Sequence, residues 1–364
     1  MLKNENVYTD KQEFFAAANS GRGFISFYKQ IFGGEGRERR YLIKGGPGTG
    51  KSTLMSRIAD RAEALSLSVE RYRCSSDPSS LDGIIINKRV AVIDSTAPHA
   101  EDAELAGARD IIVDLGRFWS VDGLYSVENE IKELSEKKKR AYALAYRFLS
   151  AAMESDIASR ELALPYVDNK KIRKVAKRLT RNIESDGAFE SKIGLSSAIG
   201  MSGRCELNSY ASIAKRTVYL EEHYGVGYLV LGDICEEARR KGCKIVISYE
   251  PLVPNLPDAV FFEESGVLFA LTSKRVRGAV SLRRLLDFSM LSKQKRNELK
   301  SKSRSARRIS EALIVAATDE LKEAGEAHFE LEKIYRSNMD FAALDSYTKS
   351  LTERIIEFAS RQKQ

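Results

Sequence analysis

Apolar residues in the first third of the chain form short continuous runs, separated by stretches with helical spacing. Three runs bounded by turn-forming residues predict strands: 41–43, 69–73 and 90–94. Leu54, Ile58 and Leu65 recur at helical spacing and predict a helix from Ser52 to Leu65. A shorter helix is predicted from about Lys11 to Ala18. Strands that alternate with helices in this order predict a parallel sheet with crossover connections.

The second half of the chain repeats this pattern. A shift of 177 residues aligns Tyr41-Leu42-Ile43 with Val218-Tyr219-Leu220 without gaps, and it aligns the run 90–93 with 267–270. The elements predicted in this half are strands at 217–221, 244–249 and 267–271 and a helix over 229–241. An internal repeat near half the chain length predicts a duplicated architecture. Each half then ends in long, charged helical segments, predicted over 125–164, 169–183 and from about 282 to 361.

The segment between the first strand and the first long helix reads GGPGTGKST. It is a complete G-x-x-x-x-G-K-[ST] phosphate-binding loop, or P-loop. Glycines let backbone N–H groups approach phosphate oxygens, Lys51 brings a positive charge to the β- and γ-phosphates, and the Ser52 hydroxyl is a Mg²⁺ ligand. The residues predicted to bind nucleotide are Gly45, Gly46, Pro47, Gly48, Thr49, Gly50, Lys51, Ser52 and Thr53. The loop predicts binding of a nucleoside triphosphate with Mg²⁺, and the absence of a guanine-reading N-K-x-D motif favours ATP.

The equivalent loop of the second half has lost this chemistry. Glu222, Tyr228 and Leu229 stand where the first loop has glycine, lysine and serine, while Gly225 and Gly227 are retained. A carboxylate repels a triphosphate, and neither tyrosine nor leucine replaces the missing cation or hydroxyl. The second loop is therefore predicted to fold without binding a nucleotide in the usual way.

These elements predict an α/β fold with two P-loop NTPase-like parallel-sheet units in tandem, each followed by a long-helix appendage. The predicted divisions are a P-loop domain over 1–122, a helical appendage over 123–190, a degenerate P-loop-like domain over 191–281 and a second helical appendage over 282–364.

A P-loop enzyme also needs a carboxylate at the end of a nearby strand to hold Mg²⁺ through its water shell. The apolar run 90–93 ends in Asp94, and Leu271 stands at the equivalent position of the second half. Asp94 is therefore predicted to act with Ser52 on the metal side of the site. The alternative is that Asp94 is a turn aspartate closing a buried strand.

The group that activates water is not evident from the motif, because Asp94 is followed by Ser95 rather than by glutamate. With Lys51 and Asp94, the predicted catalytic set includes Asp77 and Glu70 as candidate bases, and Asp82 and His99 are further candidates. Each of these four is also explained as an ordinary surface residue, and Asp77, which precedes a proline, as a turn former.

Composition and charge narrow the setting. The chain has 364 residues, of which 43% are hydrophobic and 30% charged, as in a soluble globular protein. No apolar run reaches the roughly 20 residues that span a bilayer, and the N-terminus has no signal-peptide core. The four cysteines form no C-x-x-C pair. We therefore expect free thiols, no zinc, no membrane and a cytoplasmic location.

The net charge of +8 is concentrated in two predicted helical segments. Residues 170–181 hold seven basic residues and no acid, and residues 293–308 hold eight basic residues against Glu298. Such clusters are candidate contacts for nucleic acid or for a protein partner, and the alternative is a solvated helix face.

Three segments of the first half resemble an uncharacterised bacterial family of P-loop ATP-binding proteins. They are the P-loop, CSSDPSSLDG at 74–83 and VAVIDSTAPH at 90–99. The resemblance covers essentially the whole chain and implies a tandem duplication, ATP binding and hydrolysis. Members of that family commonly keep a P-loop in both halves, so the chain departs from it at Glu222, Tyr228 and Leu229.

Three functions fit these features. The first is a Mg²⁺-dependent ATPase that couples hydrolysis to a conformational change. The second is a small-molecule kinase, which would need a lid carrying arginines; the candidates are Arg109, Arg117, Arg275 and Arg277. The third is a non-hydrolytic ATP switch that binds nucleic acid or protein through its basic helices.

Overall fold

The computed structural model describes residues 12–34, 36–98, 100–185, 187–210 and 212–361. The first half begins with the elements β1 (Gln12–Phe15), β2 (Ala17–Ser20), β3 (Gly23–Ser26), α1 (Tyr28–Phe32), β4 (Arg39–Lys44), α2 (Lys51–Ala64), β5 (Val69–Arg73), β6 (Leu81–Ile86), β7 (Val90–Asp94) and β8 (Asp110–Asp114). It continues with α3 (Val121–Ser126), α4 (Glu128–Glu161) and α5 (Asn169–Thr180).

The strands of the first half form a mixed sheet in the order β1-β5-β6-β7-β4-β8. Strand β6 runs antiparallel to both of its neighbours, and the other pairs are parallel. Strands β2 and β3 form a separate hairpin. The prediction of a parallel sheet is therefore wrong at β6, a strand that the sequence did not reveal.

The second half contains β9 (Glu190–Ile193), β10 (Ser197–Gly200), β11 (Gly203–Glu206), β12 (Arg216–Glu221), α6 (Tyr228–Lys241), β13 (Lys244–Tyr249), β14 (Pro257–Phe262), β15 (Val267–Thr272), β16 (Val280–Ser281), α7 (Lys293–Ser337) and α8 (Phe341–Ser360). Its sheet has the order β9-β13-β14-β15-β12-β16, and β14 is antiparallel to its neighbours. Strand order and direction thus match the first sheet position by position. The predicted duplication of the α/β unit is confirmed.

The helices bury apolar stripes, and several of them also begin at a capping side chain. Helix α2 buries Leu54, Met55, Ile58, Ala59 and Ala62 on the first sheet. The longer side chains among these each contribute about 1.5–3 kcal/mol through burial. The side chains of Asp168, Ser292 and Asp340 accept backbone N–H groups at the starts of α5, α7 and α8.

The two long helices, α4 and α7, pack against each other in antiparallel directions. Ser159 contacts Ser303 near one end of the pair, and Lys137 lies near Glu323 towards the other. The shorter helices cross over between the halves: α5 packs on α6 of the second half, whereas α8 packs on α2 of the first. Each short helix therefore covers the half that it does not follow in the chain.

A common core joins the two sheets. Phe14, Phe15 and Phe32 from the first half lie in one buried cluster with Tyr210 and Phe261 from the second. The opposite face of the first sheet packs with α2 and α8, and that of the second sheet packs with α5 and α6. The two halves are thus held together through a buried interior surface.

The N-terminal helix predicted over Lys11 to Ala18 is wrong. Residues 12–15 and 17–20 form β1 and β2, while Lys11 lies outside the described residues. Residues 14–20 are buried on all sides, so their apolar spacing carries no helical or strand period. No helix in the described parts of the chain is both long enough and apolar enough to cross a bilayer.

Candidate functional site

The predicted P-loop connects the end of β4 to the start of α2, as the sequence predicted. Its turn depends on Gly48 and Gly50, which have φ angles of 67° and 81° in the left-handed region that favours glycine. A Cβ atom at Gly48 would also lie 2.7 Å from the backbone oxygen of Glu332 in α7. The loop therefore needs glycine both for its backbone conformation and for close contact with another part of the chain.

The Lys51 side chain folds back along this loop. Its ammonium group donates hydrogen bonds to the backbone oxygens of Gly45 and Gly46, at 2.9 and 2.7 Å. It also lies 3.7 Å from the Asp94 carboxylate, and both side chains are largely buried. The structure thus brings the predicted loop cation and the predicted strand-end carboxylate together.

Asp94 lies at the end of β7, next to β4 and opposite Ile43. One carboxylate oxygen accepts hydrogen bonds from the Thr96 N–H and hydroxyl, at 3.0 and 2.6 Å, and the other oxygen faces Lys51. The Ser52 hydroxyl accepts the Leu81 N–H at 3.0 Å and thereby ties α2 to the first residue of β6.

Ser52 and Asp94 supply the oxygen ligands that Mg²⁺ prefers. Among the described residues, no group of three His, Cys, Asp or Glu side chains is arranged to hold a metal ion. A Mg²⁺ ion usually keeps several waters and binds one or two protein groups together with substrate phosphates. Ser52 and Asp94 are therefore side chains of this loop and its neighbouring strand that could supply oxygen ligands to such an ion.

The candidate water-activating residues lie in different surroundings. The Glu70 carboxylate accepts the Tyr72 hydroxyl at 2.9 Å, and Asp77 accepts the N–H and hydroxyl of Ser79 at 3.0 and 2.7 Å. Asp82 is buried in β6, close to the Tyr28 hydroxyl. Burial, aided by the Asp82 carboxylate, raises the pKa of Tyr28 well above its ordinary value. His99 lies outside the described residues. Among the described candidates, Asp77 is close enough to α7 to influence the pKa values of His328 and Glu332.

The sequence did not reveal that the C-terminal part of α7 covers this loop. Backbone atoms of Glu332 and the side chain of Arg336 lie against Gly48, and Tyr335 lies against Gly46 together with Trp119. The two aromatic rings are 5.5 Å apart between centroids. These residues form a cover over the loop, which we call the α7 cover.

The α7 cover brings further charged groups towards Lys51. Burial raises the pKa of Glu332, although the Gly48 N–H and Lys51 act in the opposite direction. Burial, together with Lys138 and Lys51, lowers the pKa of His328 to about 4, so this imidazole is neutral at pH 7. Burial also lowers the pKa of Lys138 in α4, and Lys51 adds to the effect. Lys138 thus adds a second cation near Lys51, and the Glu332 carboxylate lies near Lys51 and the Gly48 N–H.

The second loop is covered in the same way, but its groups are paired. Arg160 of α4 donates to Asp156 and to the Gly225 carbonyl, both at 2.6 Å. The Gly227 N–H is taken by the Glu222 carboxylate at 2.9 Å. The loop's own acid therefore occupies one of its backbone N–H groups.

The two covers correspond in sequence as well as in position. Asp156 and Arg160 precede Glu332 and Arg336 by 176 residues, close to the offset of the whole repeat. In contrast to Arg160, Arg336 is exposed and makes no ion pair or side-chain hydrogen bond with another described residue. The first half therefore keeps an arginine beside its loop that is not held in an ion pair, although its charge helps to lower the pKa of Glu332.

Other arginines considered from the sequence have structural contacts. Arg109 binds Asp110 at 3.0 Å and Glu104 at 2.7 Å. Arg117 lies over the rings of Phe118 and Tyr347. Two of the four candidate lid arginines, Arg109 and Arg117, therefore make contacts that support the fold.

Comparison with protein-family models, curated proteins and solved structures gives no match for this chain. The resemblance to a duplicated ATP-binding family stays a prediction, and function is inferred from the site's own residues.

Proposed function

We propose that the first half binds ATP with Mg²⁺ at residues 45–53 and hydrolyses it, and that hydrolysis is coupled to movement of α7. The observation that carries this proposal is the position of Lys51. Its ammonium group lies within a glycine-rich strand-to-helix loop, 3.7 Å from a carboxylate at the end of the adjacent strand. Cation, backbone N–H groups and carboxylate are the groups that recognise a triphosphate with its metal ion.

In this proposal, Lys51 and the loop N–H groups bind the β- and γ-phosphates. Ser52 and Asp94 hold Mg²⁺, which would neutralise charge on the phosphates. Lys51 must release the Gly45 and Gly46 carbonyls to reach a phosphate. The half-buried Lys138 lies close enough to Lys51 for that charge to help lower its pKa, so an anion bound there would meet both cations.

Coupling to α7 follows from competition for one site. The Glu332 carboxylate lies close enough to the Gly48 N–H and to Lys51 for both to lower its pKa, against the larger opposing effect of burial. A phosphate needs the same two groups, so ATP binding displaces this carboxylate. Because the α7 backbone also touches Gly48, displacement moves the end of the helix and not only a side chain. Glu332 then joins Asp77 as a candidate for orienting water, and Arg336 is the candidate for contact with the γ-phosphate.

The proposal predicts that Asp94→Asn folds normally but hydrolyses ATP at least about 100-fold more slowly, since the metal loses a charged ligand beside the phosphates. Phosphate release from ATP–Mg²⁺, without an acceptor, is the measurement. Asp114→Asn is a matched control because Asp114 ends the strand on the other side of β4 and accepts an N–H two residues later, as Asp94 does. Equal activity in the two variants would contradict the metal role of Asp94.

The same assay distinguishes the alternatives. Phosphate release by the wild-type chain alone supports an ATPase. Turnover that needs an added acceptor would replace this proposal with a kinase, and binding without any turnover would replace it with a switch.

We also predict that each chain binds one nucleotide. The second loop has Glu222 on its Gly227 N–H and lacks the lysine, serine and strand-end aspartate of the first. Titration calorimetry with ATP–Mg²⁺ should therefore give a stoichiometry of one, and Tyr228→Ala should leave it unchanged. A stoichiometry of two would contradict the assignment of the second half as a structural unit.

A further inference from the structure

We propose that the protein binds the phosphate backbone of a double-stranded nucleic acid through a surface formed by α5, which packs on the second half, together with the turn at 283–285 and the first four turns of α7. We call residues 169–181 and 283–308 the basic surface. This inference is independent of nucleotide binding by the first half.

Charge separation is the first observation. The basic surface holds 17 Lys and Arg residues and two acids, Asp287 and Glu298. The whole chain has 59 basic and 51 acidic residues, so the remainder holds 42 basic against 49 acidic side chains. The net positive charge of the protein therefore comes from this surface alone, while the rest of the chain is net negative.

The fold joins the segments of the basic surface. Val167 and Leu286 form a β-bridge, and the Asp168 N–H donates to the Leu285 carbonyl at 2.9 Å. Lys171 is near enough to Asp287 to help lower the pKa of that carboxyl, after the hydrogen bonds from Ser289. The start of α5 and the segment leading into α7 are thus neighbours, although more than 100 residues separate them in the chain.

The cationic groups are available to a ligand. Lys174, Lys177, Lys300 and Arg304 are exposed, and none of them makes an ion pair with a described residue. The α7 part of the surface extends about 24 Å, at about 1.5 Å per residue. Duplex DNA carries one phosphate charge per roughly 1.7 Å of axis, so a segment of this length can meet several phosphates.

A nucleic acid fits this surface better than a membrane does. The apolar side chains of α5, including Ile172 and Ala176, are directed into the core against α6. Leu299 in the first turns of α7 is buried as well, and Met290 is the one large apolar side chain of the basic surface that is mostly exposed. An interfacial membrane helix needs a stripe of exposed apolar residues to insert, whereas backbone recognition needs only charges and hydroxyls. The basic surface has a single aromatic residue, Phe288, and its ring packs against Tyr166 and Tyr224 instead of being presented for base stacking, which favours a duplex over a single strand.

The first half offers an internal comparison. Helix α8 is the counterpart of α5 in the repeat, and 341–361 contains three basic and three acidic residues. At the 176-residue offset, the counterpart of 293–308 is 117–132, which holds two basic and three acidic residues. The helical segments that pack beside the first half's sheet are therefore near neutral in the same architecture. Positive charge belongs to the segments that pack beside the second half and is not a requirement of the fold.

Fluorescence anisotropy with a labelled duplex DNA of about 24 base pairs tests the proposal, at salt concentrations from about 50 to 200 mM and without nucleotide. We expect the wild-type chain to bind with an affinity that falls steeply with salt. The fourfold variant Lys174→Ala, Lys177→Ala, Lys300→Ala and Arg304→Ala should bind at least about tenfold more weakly at low salt, with a shallower salt slope.

The matched control removes four exposed cations elsewhere: Lys132→Ala, Lys139→Ala, Lys349→Ala and Arg354→Ala. It changes the net charge equally and should keep the wild-type affinity within about twofold, because contacts and not total charge carry the binding. Circular dichroism checks that both variants are folded. Equal weakening in the two variants, no binding by the wild type at low salt, or binding to phosphatidylserine vesicles but not to duplex would each overturn the proposal. A duplex RNA of equal length tests whether the backbone type matters, and tighter binding of single strands than of either duplex would also contradict it.

Discussion

Lys51→Ala is expected to lower the affinity for ATP–Mg²⁺ at least about 100-fold and to abolish turnover at ordinary substrate concentrations. A hydrogen bond to a charged group contributes about 1.5–3 kcal/mol, and about 1.4 kcal/mol corresponds to a factor of ten. In the ligand-free protein, the same ammonium group binds only two backbone carbonyls and lies near Asp94. Its removal should therefore harm nucleotide binding much more than folding. Titration calorimetry measures the affinity, and thermal unfolding checks the fold.

Tyr228→Ala provides the matched control, because Tyr228 begins α6 just as Lys51 begins α2. That variant should bind ATP as the wild type does. Wild-type affinity in the Lys51 variant would show that the loop at 45–53 is not the nucleotide site, whatever the basic surface does.

Local sequence patterns were sufficient for the loop and for its partner strand. Glycines, lysine and serine at fixed spacing between an apolar run and a helical stripe predicted β4, the loop and α2. The aspartate after the run 90–93 predicted a carboxylate at the same sheet edge, and it lies 3.7 Å from the lysine. The internal repeat could also be read from the sequence. The structure agrees with the predicted alignment, because Ile43 pairs with Asp94 in the first sheet and Leu220 pairs with Leu271 at the equivalent position of the second.

Strand β6 was missed because its signal is weak for physical reasons. Asp82 and Gly83 interrupt an otherwise apolar run, and both are unusual inside strands. Gly83 is required because a Cβ there would lie 2.5 Å from the Phe32 ring. The turn to β7 uses Asn87 and Lys88, both with positive φ, instead of the Asn-Gly pair that marks a hairpin in sequence.

The α7 cover was beyond the reach of local patterns altogether. Gly48 and Glu332 are 284 residues apart, and nothing in the helical spacing of α7 indicates which other part of the chain it touches. The contact arises because α4 and α7 pack as an antiparallel pair that brings each long helix over the opposite half's loop. The sequence carried one signal of this contact. The pair Asp156 and Arg160 recurs 176 residues later as Glu332 and Arg336, which indicates that the two long helices have equivalent positions.

Arg336→Ala is expected to slow ATP hydrolysis about 100-fold or more while changing ATP affinity less than about threefold. An arginine that contacts the γ-phosphate stabilises charge that develops in the transition state, and such residues contribute about 10³-fold or more to turnover. Arg336 suits this role because it lies against Gly48, is exposed and makes no ion pair with a described residue. Arg336→Lys should recover part of the rate, since a lysine keeps the charge but not the planar, multiply donating group.

Arg160→Ala separates this role from a structural one. Arg160 holds the equivalent position on α4, but its guanidinium is already bound to Asp156 and to the Gly225 carbonyl. Its loss should lower the thermal stability of the protein and leave the rate per folded molecule unchanged. Arg336→Ala should do the reverse, because the side chain has no such partners to lose. Single-turnover hydrolysis, measured beside ATP affinity and melting temperature, distinguishes the two. If both variants lose rate and stability together, the arginines of the covers are structural, and if Arg336→Ala keeps the full rate, the γ-phosphate is stabilised by another group.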